Sequence, residues 1–129
     1  VLIVDKQALK RIVFEYICKD GGTSYAELQW LFDKVGFDYR GEFEIYSPVN
    51  DNVIFWCGWN REAIEILNEL KEENLIEQEP VQPIVYLIDG AALSLPVVRR
   101  AVSYQTPHWL PLVFRAVKGC EAGCQASVT

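Results

Sequence analysis

Histidine is almost absent from this chain, and common sequence signatures of enzymes and membrane proteins are absent with it. The single histidine, His108, has no serine or cysteine beside it in a recognisable nucleophile motif. The chain has no glycine-rich loop that would cradle phosphates, and no apolar run approaches the ~20 residues that span a membrane. Residues 1–6 lack the basic leader of a signal peptide. We therefore expect a non-enzymatic protein without a cofactor, located in the cytoplasm and not bound to a membrane.

The four cysteines are not spaced as the ligands of a complete metal site. They are Cys18, Cys57, Cys120 and Cys124. The spacing of Cys120 and Cys124 falls in the loose range of a zinc half-site, but no second pair of ligands lies near them in the sequence. A chain of this length needs no disulfide to be stable, so we expect reduced thiols in a cytosolic setting and no metal.

The composition is that of a globular protein. Half of the 129 residues are hydrophobic and 12% are aromatic, which separates the chain from disordered sequences. A chain of this length is expected to form one domain with room for a hydrophobic core. We assign residues 1–118 to that domain and predict that the small, polar segment 119–129 is a flexible tail.

The first two helices are marked by their ends. Asp5 can cap the first helix, and Gly21 can end it. Ser24 and Glu27 have the spacing of a capping box for a second helix, which Gly36 closes. Apolar residues recur at helical spacing in both segments: Ala8, Leu9, Ile12, Val13, Tyr16 and Ile17, then Leu28, Leu31, Phe32 and Val35. Two helices joined by a glycine-rich corner indicate a helix-turn-helix.

Residues 37–59 predict a β-hairpin inserted between the second and third helices. Glu42–Tyr46 alternates like a half-buried strand, and Val53–Cys57 is β-branched and aromatic. The favoured interpretation is that the aromatic residues of the insert anchor it on the core. The alternative is an exposed aromatic patch that binds a partner. The candidates for that patch are Phe55, Trp56, Trp59 and, later in the chain, Trp109.

A third helix and two short strands are predicted next. Asn60 can cap the helix, and Asn74 can end it because asparagine tolerates the left-handed conformation. Leu75–Glu79 and Ile84–Ile88 then form two extended runs joined by Pro-Val-Gln-Pro. Further on, Ser94–Val102 predicts a short helix with a proline in its first turn. The last apolar run, Leu112–Val117, is either a strand or a short helix, and a helix is favoured.

This part of the chain resembles the winged-helix superfamily of transcriptional regulators. The likeness rests on the Leu67…Leu70 helix running into Asn74-Leu75-Ile76-Glu77, and on the returning segment Val85-Tyr86-Leu87-Ile88-Asp89-Gly90. It covers about residues 5–90 if the hairpin is treated as an insert. The resemblance implies an α+β fold with a three-helix core and a wing hairpin, to which the sequence pattern adds helical segments in the extension 91–118. It also implies that the third helix enters the DNA major groove and that the wing contacts phosphates.

Charge argues against the DNA-binding part of that expectation. Residues 41–90 carry two basic and eleven acidic side chains, a net charge of −9, whereas the whole chain carries −6. Seven of those acids lie on or just after the third helix: Glu62, Glu65, Glu69, Glu72, Glu73, Glu77 and Glu79. DNA affinity depends on lysine and arginine neutralising phosphates. We therefore expect DNA not to bind through helix 60–74.

The leading interpretation is a non-catalytic, regulatory module that binds a protein partner or a second copy of itself. Its candidate residues, besides the aromatic ones, are Glu62, Glu65, Glu69, Glu72, Arg99 and Arg100. Arg99 and Arg100 could contact a phosphate or an acidic protein, or they could pair with the acidic face of the same or another copy. One alternative is a DNA-binding regulator that uses a basic surface away from helix 60–74. A weaker alternative is an acidic DNA mimic that blocks a nucleic-acid-binding protein.

Overall fold

A computed structural model describes residues 5–117, which form four helices and six strands in two three-stranded sheets. In chain order the elements are α1 (Lys6–Asp20), β1 (Thr23–Ser24), α2 (Tyr25–Val35), β2 (Arg40–Tyr46), β3 (Val53–Trp59), α3 (Arg61–Glu72), β4 (Ile76–Pro80), α4 (Ile84–Asp89), β5 (His108–Trp109) and β6 (Leu112–Ala116). The α+β class is confirmed. None of the described helices is long and apolar enough to cross a lipid bilayer. The predicted tail, 119–129, lies outside the described residues.

The predicted ends of the first three helices are confirmed. The side chains of Asp5, Ser24 and Asn60 accept hydrogen bonds from the backbone N–H groups three residues later, at 2.7, 3.0 and 2.9 Å. Each of these contacts satisfies an N–H that has no partner inside its helix. Asn74 is left-handed with φ 60°, as a residue after a helix end often is.

The predicted hairpin insert is also confirmed. Strands β2 and β3 pair antiparallel, and β5 adds to β3 in parallel, with Ile54 opposite Trp109. We call this sheet, with strand order β2-β3-β5, the insertion sheet. Strand β2 is its edge, and apart from the half-buried Ile45 all its residues are exposed.

The predicted second wing strand, Ile84–Ile88, is wrong, because this segment forms helix α4. Pro83 already has helical backbone angles, with φ −56° and ψ −24°, and its carbonyl accepts the N–H of Tyr86 at 3.0 Å. Gly90 ends the helix in the left-handed conformation. Strand β4 pairs instead with β6, and β1 pairs with the other edge of β6. We call this antiparallel sheet, with order β1-β6-β4, the framework sheet.

The two helices predicted in the extension are wrong as well. Around Ser94–Val102 the chain runs alongside β5: the N–H of Val98 donates to the Trp109 carbonyl at 2.8 Å, and the N–H of Trp109 donates to Pro96 at 2.7 Å. These contacts use backbone groups that a helix would need for itself. Leu112–Val117 contains the central strand of the framework sheet, β6, the alternative that was not favoured.

The core lies between the two sheets and the first three helices, and Tyr25 is at the junction. Its ring stacks on Trp56 with 6.0 Å between centroids and meets Trp59 and Phe114 edge-on at 5.3 and 5.0 Å. Trp56 and Trp59 belong to the insertion sheet, and Phe114 belongs to the framework sheet. One aromatic cluster therefore ties the insert to the rest of the fold.

Candidate functional site

The four aromatic candidates lie in the core. Phe55, Trp56, Trp59 and Trp109 are at most 6% exposed. The indole N–H groups of Trp56 and Trp59 both donate to Gln29 Oε1, at 2.8 and 3.0 Å, and that of Trp109 donates to the Phe55 carbonyl at 3.2 Å. Burying these rings removes a large apolar area from water and satisfies their polar groups. The favoured prediction, that they anchor the insert, is confirmed, and the exposed aromatic patch is wrong.

Two of the four glutamate candidates on α3 are engaged by lysines of α1. Lys6 Nζ lies 3.2 Å from a Glu65 carboxylate oxygen and 2.6 Å from one of Glu69, and Lys10 Nζ lies 3.3 Å from Glu69 and 2.5 Å from Glu73. The hydrogen bond from Lys6 lowers the pKa of Glu69. This network of two lysines and three glutamates offsets part of the negative charge on the flank of α3 that faces α1.

The other two candidates, Glu62 and Glu72, are exposed and form none of the ion pairs found within residues 5–117. Glu42 and Glu44 of strand β2 and Glu77 of β4 are exposed as well and add to the acidic surface. The acidity predicted from the sequence is therefore retained at these exposed positions, although it is partly offset beside α1.

A groove between β2 and α3 interrupts this acidic surface. Its volume is about 360 Å³, and it is lined by Phe43, Glu44, Arg61, Ile64, Glu65 and Asn68. The guanidinium of Arg61 lies 5.7 Å from the centre of the Phe43 ring. The hairpin packs closely against the start of α3 here. A Cβ atom added to Gly41 would lie only 2.6 Å from the Asn60 Cα. We call this feature the acidic groove.

Arg99 and Arg100 lie elsewhere, on a loop beside the turn that joins β2 to β3. Both are exposed and border a second groove, of about 630 Å³. We call it the arginine groove. Among the ion pairs within residues 5–117, none includes either arginine. The structure thus separates the basic candidates from the acidic face of the same chain.

One partly buried carboxyl group has a strongly raised pKa. Glu27, at the start of α2, accepts a hydrogen bond from the Tyr16 hydroxyl at 2.5 Å. Burial raises the pKa of Glu27 to about 7; Asp20 and Asp89 add to the rise, and the Tyr16 hydrogen bond opposes it. Asp89 accepts a hydrogen bond from the Ser24 hydroxyl at 2.6 Å, which holds the end of α4 beside α2. This cluster contains a group that titrates near neutral pH.

Within residues 5–117, no group of three histidine, cysteine or acidic side chains is arranged to hold a metal ion. The predicted zinc half-site, Cys120 and Cys124, lies outside the described residues. His108 stacks on Tyr104, with 4.0 Å between ring centroids, and its Nδ1 lies 2.8 Å from the Thr106 carbonyl. Of these two neighbours, Tyr104 also lines the arginine groove.

Sequence reasoning missed Phe43 as a surface residue. The alternation of Glu42–Tyr46 places Phe43 on the same face as Ile45, the face predicted to be buried. The pairing of β2 with β3 is irregular on both sides of Phe43, and its ring remains 47% exposed. The irregular pairing depends on Gly58 of the opposite strand, whose φ of 87° is typical of a β-bulge. It could not be predicted from the alternation of residues within β2.

Comparison of the chain with models of protein families, with curated protein sequences and with solved structures gave no match.

Proposed function

We propose that this chain is a non-catalytic winged-helix module that binds a basic segment of a protein partner in its acidic groove. The winged-helix part is supported by the order of the elements around the framework sheet: α1, β1, α2, α3, β4 and β6. Helix α3 leads into β4, and β4 pairs antiparallel with β6. The segment 81–111, which contains α4 and β5, lies between those two strands, where the resemblance implies only the short Pro-Val-Gln-Pro loop.

The contacts of α3 with neighbouring elements, as well as its net charge, argue against recognition of DNA by this helix. One flank of the helix carries the ion pairs to α1, and the N-terminal part of the other borders strand β2. Its two cations are also engaged: Arg61 lies over the Phe43 ring, and the Lys71 ammonium is 3.4 Å from the Gln78 side-chain oxygen. A duplex approaching this helix would meet exposed carboxylates without lysines or arginines to neutralise its phosphates.

The acidic groove is the observation that carries the proposal. Phe43 and Ile64 supply apolar surface, and the same groove is lined by the carboxylate of Glu44, which forms no ion pair within residues 5–117. The Glu65 carboxylate also lines the groove and is paired with Lys6. A lysine or arginine of a partner can lay its aliphatic stem on apolar surface while its charged end meets a carboxylate. An aromatic ring beside the groove adds attraction for a cation. A basic, partly aliphatic segment therefore matches both the shape and the charge.

Selection of random displayed peptides on the immobilised full chain tests this function. We expect enriched peptides to combine lysine or arginine with aliphatic residues. Glu44→Lys should weaken their binding by about tenfold or more, as loss of a close charge pair does. The matched control is Glu77→Lys, which changes the net charge equally at an exposed position outside the groove.

The proposal fails if the enriched peptides lack basic residues, or if the two variants bind them equally. Titration with mixed-sequence duplex DNA at ~50 mM salt tests the alternative of a DNA-binding regulator. Saturable binding with a steep salt dependence would favour that alternative. Co-purification with a strongly basic nucleic-acid-binding protein, whose DNA binding the chain then blocks, would favour the DNA-mimic alternative.

A further inference from the structure

The arginine groove combines an apolar lining with two cations. It lies between the β2–β3 turn and the loop 98–104. Its apolar lining residues are Val49, Val53, Val98, Val102 and Leu110. Val49 is 90% exposed and Val102 is 50% exposed. Aliphatic side chains left in water beside a concave surface are typical of a site that another molecule covers.

Arg99 and Arg100 place two adjacent cations beside this groove in a chain whose acids outnumber its bases, eighteen to twelve. Of the eleven lysines and arginines within residues 5–117, four form ion pairs: Lys6, Lys10, Arg40 and Arg115. The two adjacent arginines are exposed and form no ion pair with any residue between 5 and 117. Their positive charge is therefore available to an anionic group from outside this part of the chain.

The loop that carries the arginines is held in shape by Tyr104. The Tyr104 hydroxyl accepts the backbone N–H groups of Arg99 and Arg100 at 3.1 and 3.2 Å, and it donates to the Arg100 carbonyl at 3.1 Å. The Asn52 side-chain amide donates to the Tyr104 carbonyl at 2.9 Å, which joins the loop to the hairpin turn. A loop fixed at several points loses little conformational entropy when a ligand binds.

We propose that the arginine groove binds an acidic protein segment in which a carboxylate stands next to an aliphatic side chain. The aliphatic side chain covers Val49 and Val102, and the carboxylates pair with Arg99 and Arg100. Arginine suits this task because its planar guanidinium can donate two parallel hydrogen bonds to one carboxylate. This site lies apart from the acidic groove and has the opposite charge, so the two can be tested separately.

A nucleic acid fits the groove less well than a peptide does. Its backbone would use the two arginines and leave the aliphatic lining exposed. It would also have to approach a chain with a net charge of −6, in which eight of the eighteen acids lie on β2, α3 and β4. A peptide that combines acid with aliphatic surface uses every feature of the groove.

Displayed random peptides selected on the immobilised full chain provide the test, with synthetic copies of the winners measured by fluorescence anisotropy. We expect a class rich in aspartate or glutamate beside leucine, isoleucine or valine. The double variant Arg99→Glu, Arg100→Glu should weaken binding of this class by about a hundredfold, which corresponds to two charge pairs. The control pair Arg11→Glu, Lys19→Glu makes the same change of net charge at exposed positions on α1 and should bind as the unmodified chain does.

Two single variants separate a peptide site from a simple anion site. Val49→Ser should weaken binding severalfold while its salt dependence stays the same, because this side chain contributes apolar contact only. Tyr104→Phe should also weaken binding, through loss of the hydroxyl that positions the loop, while Tyr46→Phe on exposed β2 should not.

Three results would overturn the proposal. The first is a selection that yields no acidic class of peptides. The second is equal weakening by the two double variants, which would indicate a general charge effect. The third is self-association of the chain in sedimentation experiments that the Arg99→Glu, Arg100→Glu variant abolishes and the control variant does not. The molecule bound in the groove would then be a second copy of the chain. A selection that yields acidic peptides but no basic ones would contradict the function proposed for the acidic groove. It would not contradict the function proposed for the arginine groove.

Discussion

The two sheets of this protein differ in what their strands expose. In the framework sheet, both residues of β1 and the first three of β6 are buried, beneath α1 and beside α2. In the insertion sheet, the edge strand β2 is exposed except at the half-buried Ile45. Both grooves border the β2–β3 hairpin, the acidic groove through Phe43 and Glu44 and the arginine groove through Ser47, Val49 and Val53. The comparison indicates that the framework sheet and the buried strand β3 stabilise the fold, whereas the exposed edge strand of the insertion sheet and its turn carry the binding surfaces.

The largest expected effect is at the join between the two sheets. Trp59 is fully buried, and its ring lies 5.3 Å from Tyr25 and from Phe32. Trp59→Ala should lower the free energy of unfolding by about 3–5 kcal/mol, because it leaves a large cavity and removes a donor to Gln29. Chemical denaturation measures the change.

A matched control for this substitution is Trp30→Ala. Trp30 is the tryptophan that remains 59% exposed, so its removal should change stability by no more than about 0.5 kcal/mol. If the two variants were equally stable, the insertion sheet would not depend on its aromatic anchor, and the division between the sheets would have to be redrawn.

The next effect lies within the framework. The Tyr86 hydroxyl donates to the Leu112 carbonyl and accepts the N–H of Tyr25, at 2.5 and 3.1 Å, so it joins α4 to β6 and α2. Tyr86→Phe leaves both buried backbone groups without this partner, which should cost about 1–3 kcal/mol. Tyr46→Phe on the exposed β2 serves as the control and should be neutral in the same denaturation experiment. Equal effects would show that the Tyr86 hydroxyl is not needed for the framework.

The parts of the fold that could be predicted are those with local signals. The caps Asp5, Ser24 and Asn60, with apolar spacing behind them, determined the first three helices closely. The hairpin was predictable because its two strands follow each other in the sequence. In each case the residues that specify the element also make its contacts.

The rest depended on partners distant in sequence. In strand β6, Phe114 lies opposite Gln78 on one side and Thr23 on the other. The local sequence around Phe114 does not predict either pairing. Tyr86 is another case: its β-branched neighbourhood indicates a strand, but burial of one ring and the ends at Pro83 and Gly90 favour a single helical segment. Tertiary contacts override local preference in both cases.

The candidate sites were predictable in charge and not in shape. The glutamates of α3 could be counted in the sequence, but their pairing with Lys6 and Lys10 requires knowing that α1 packs against α3. Arg99 and Arg100 were identified as candidates, but the groove beside them depends on the β2–β3 turn, which lies about fifty residues earlier. A surface assembled from separate segments leaves no signature in either segment alone.

A smaller expected effect is the pH dependence of stability caused by Glu27, at the start of α2 beside the framework sheet. Glu27 has an ordinary pKa of 4.5 in the unfolded chain and about 7 in the fold. Between these values the folded protein holds a proton that the unfolded chain has lost, so stability falls as pH rises through this window. Acidification from about pH 7.5 to about pH 5.5 should therefore raise the free energy of unfolding.

Glu27→Gln should remove this dependence, and Glu15→Gln at an exposed position of α1 should keep it. Asp38 and Glu69 have lowered pKa values, so their contribution to stability is lost only as the pH falls below about 4 to 4.5. Denaturation curves across the window measure the difference between the variants. A pH dependence that persists in Glu27→Gln would assign the effect to another group.

The smallest expected change in stability is on the insertion sheet, at a residue that is expected to bind the basic peptides. Phe43 is 47% exposed at the acidic groove, so Phe43→Ser removes little buried surface and should change the free energy of unfolding by no more than about 0.5 kcal/mol. It should nevertheless weaken binding of the basic peptides, because the ring supplies apolar contact and attraction for a cation. Acidic peptides bound at the arginine groove should be unaffected. If Phe43→Ser instead destabilised the fold as strongly as Tyr86→Phe does, the exposed edge of the insertion sheet would be part of the framework, and the separation of the two sheets would fail.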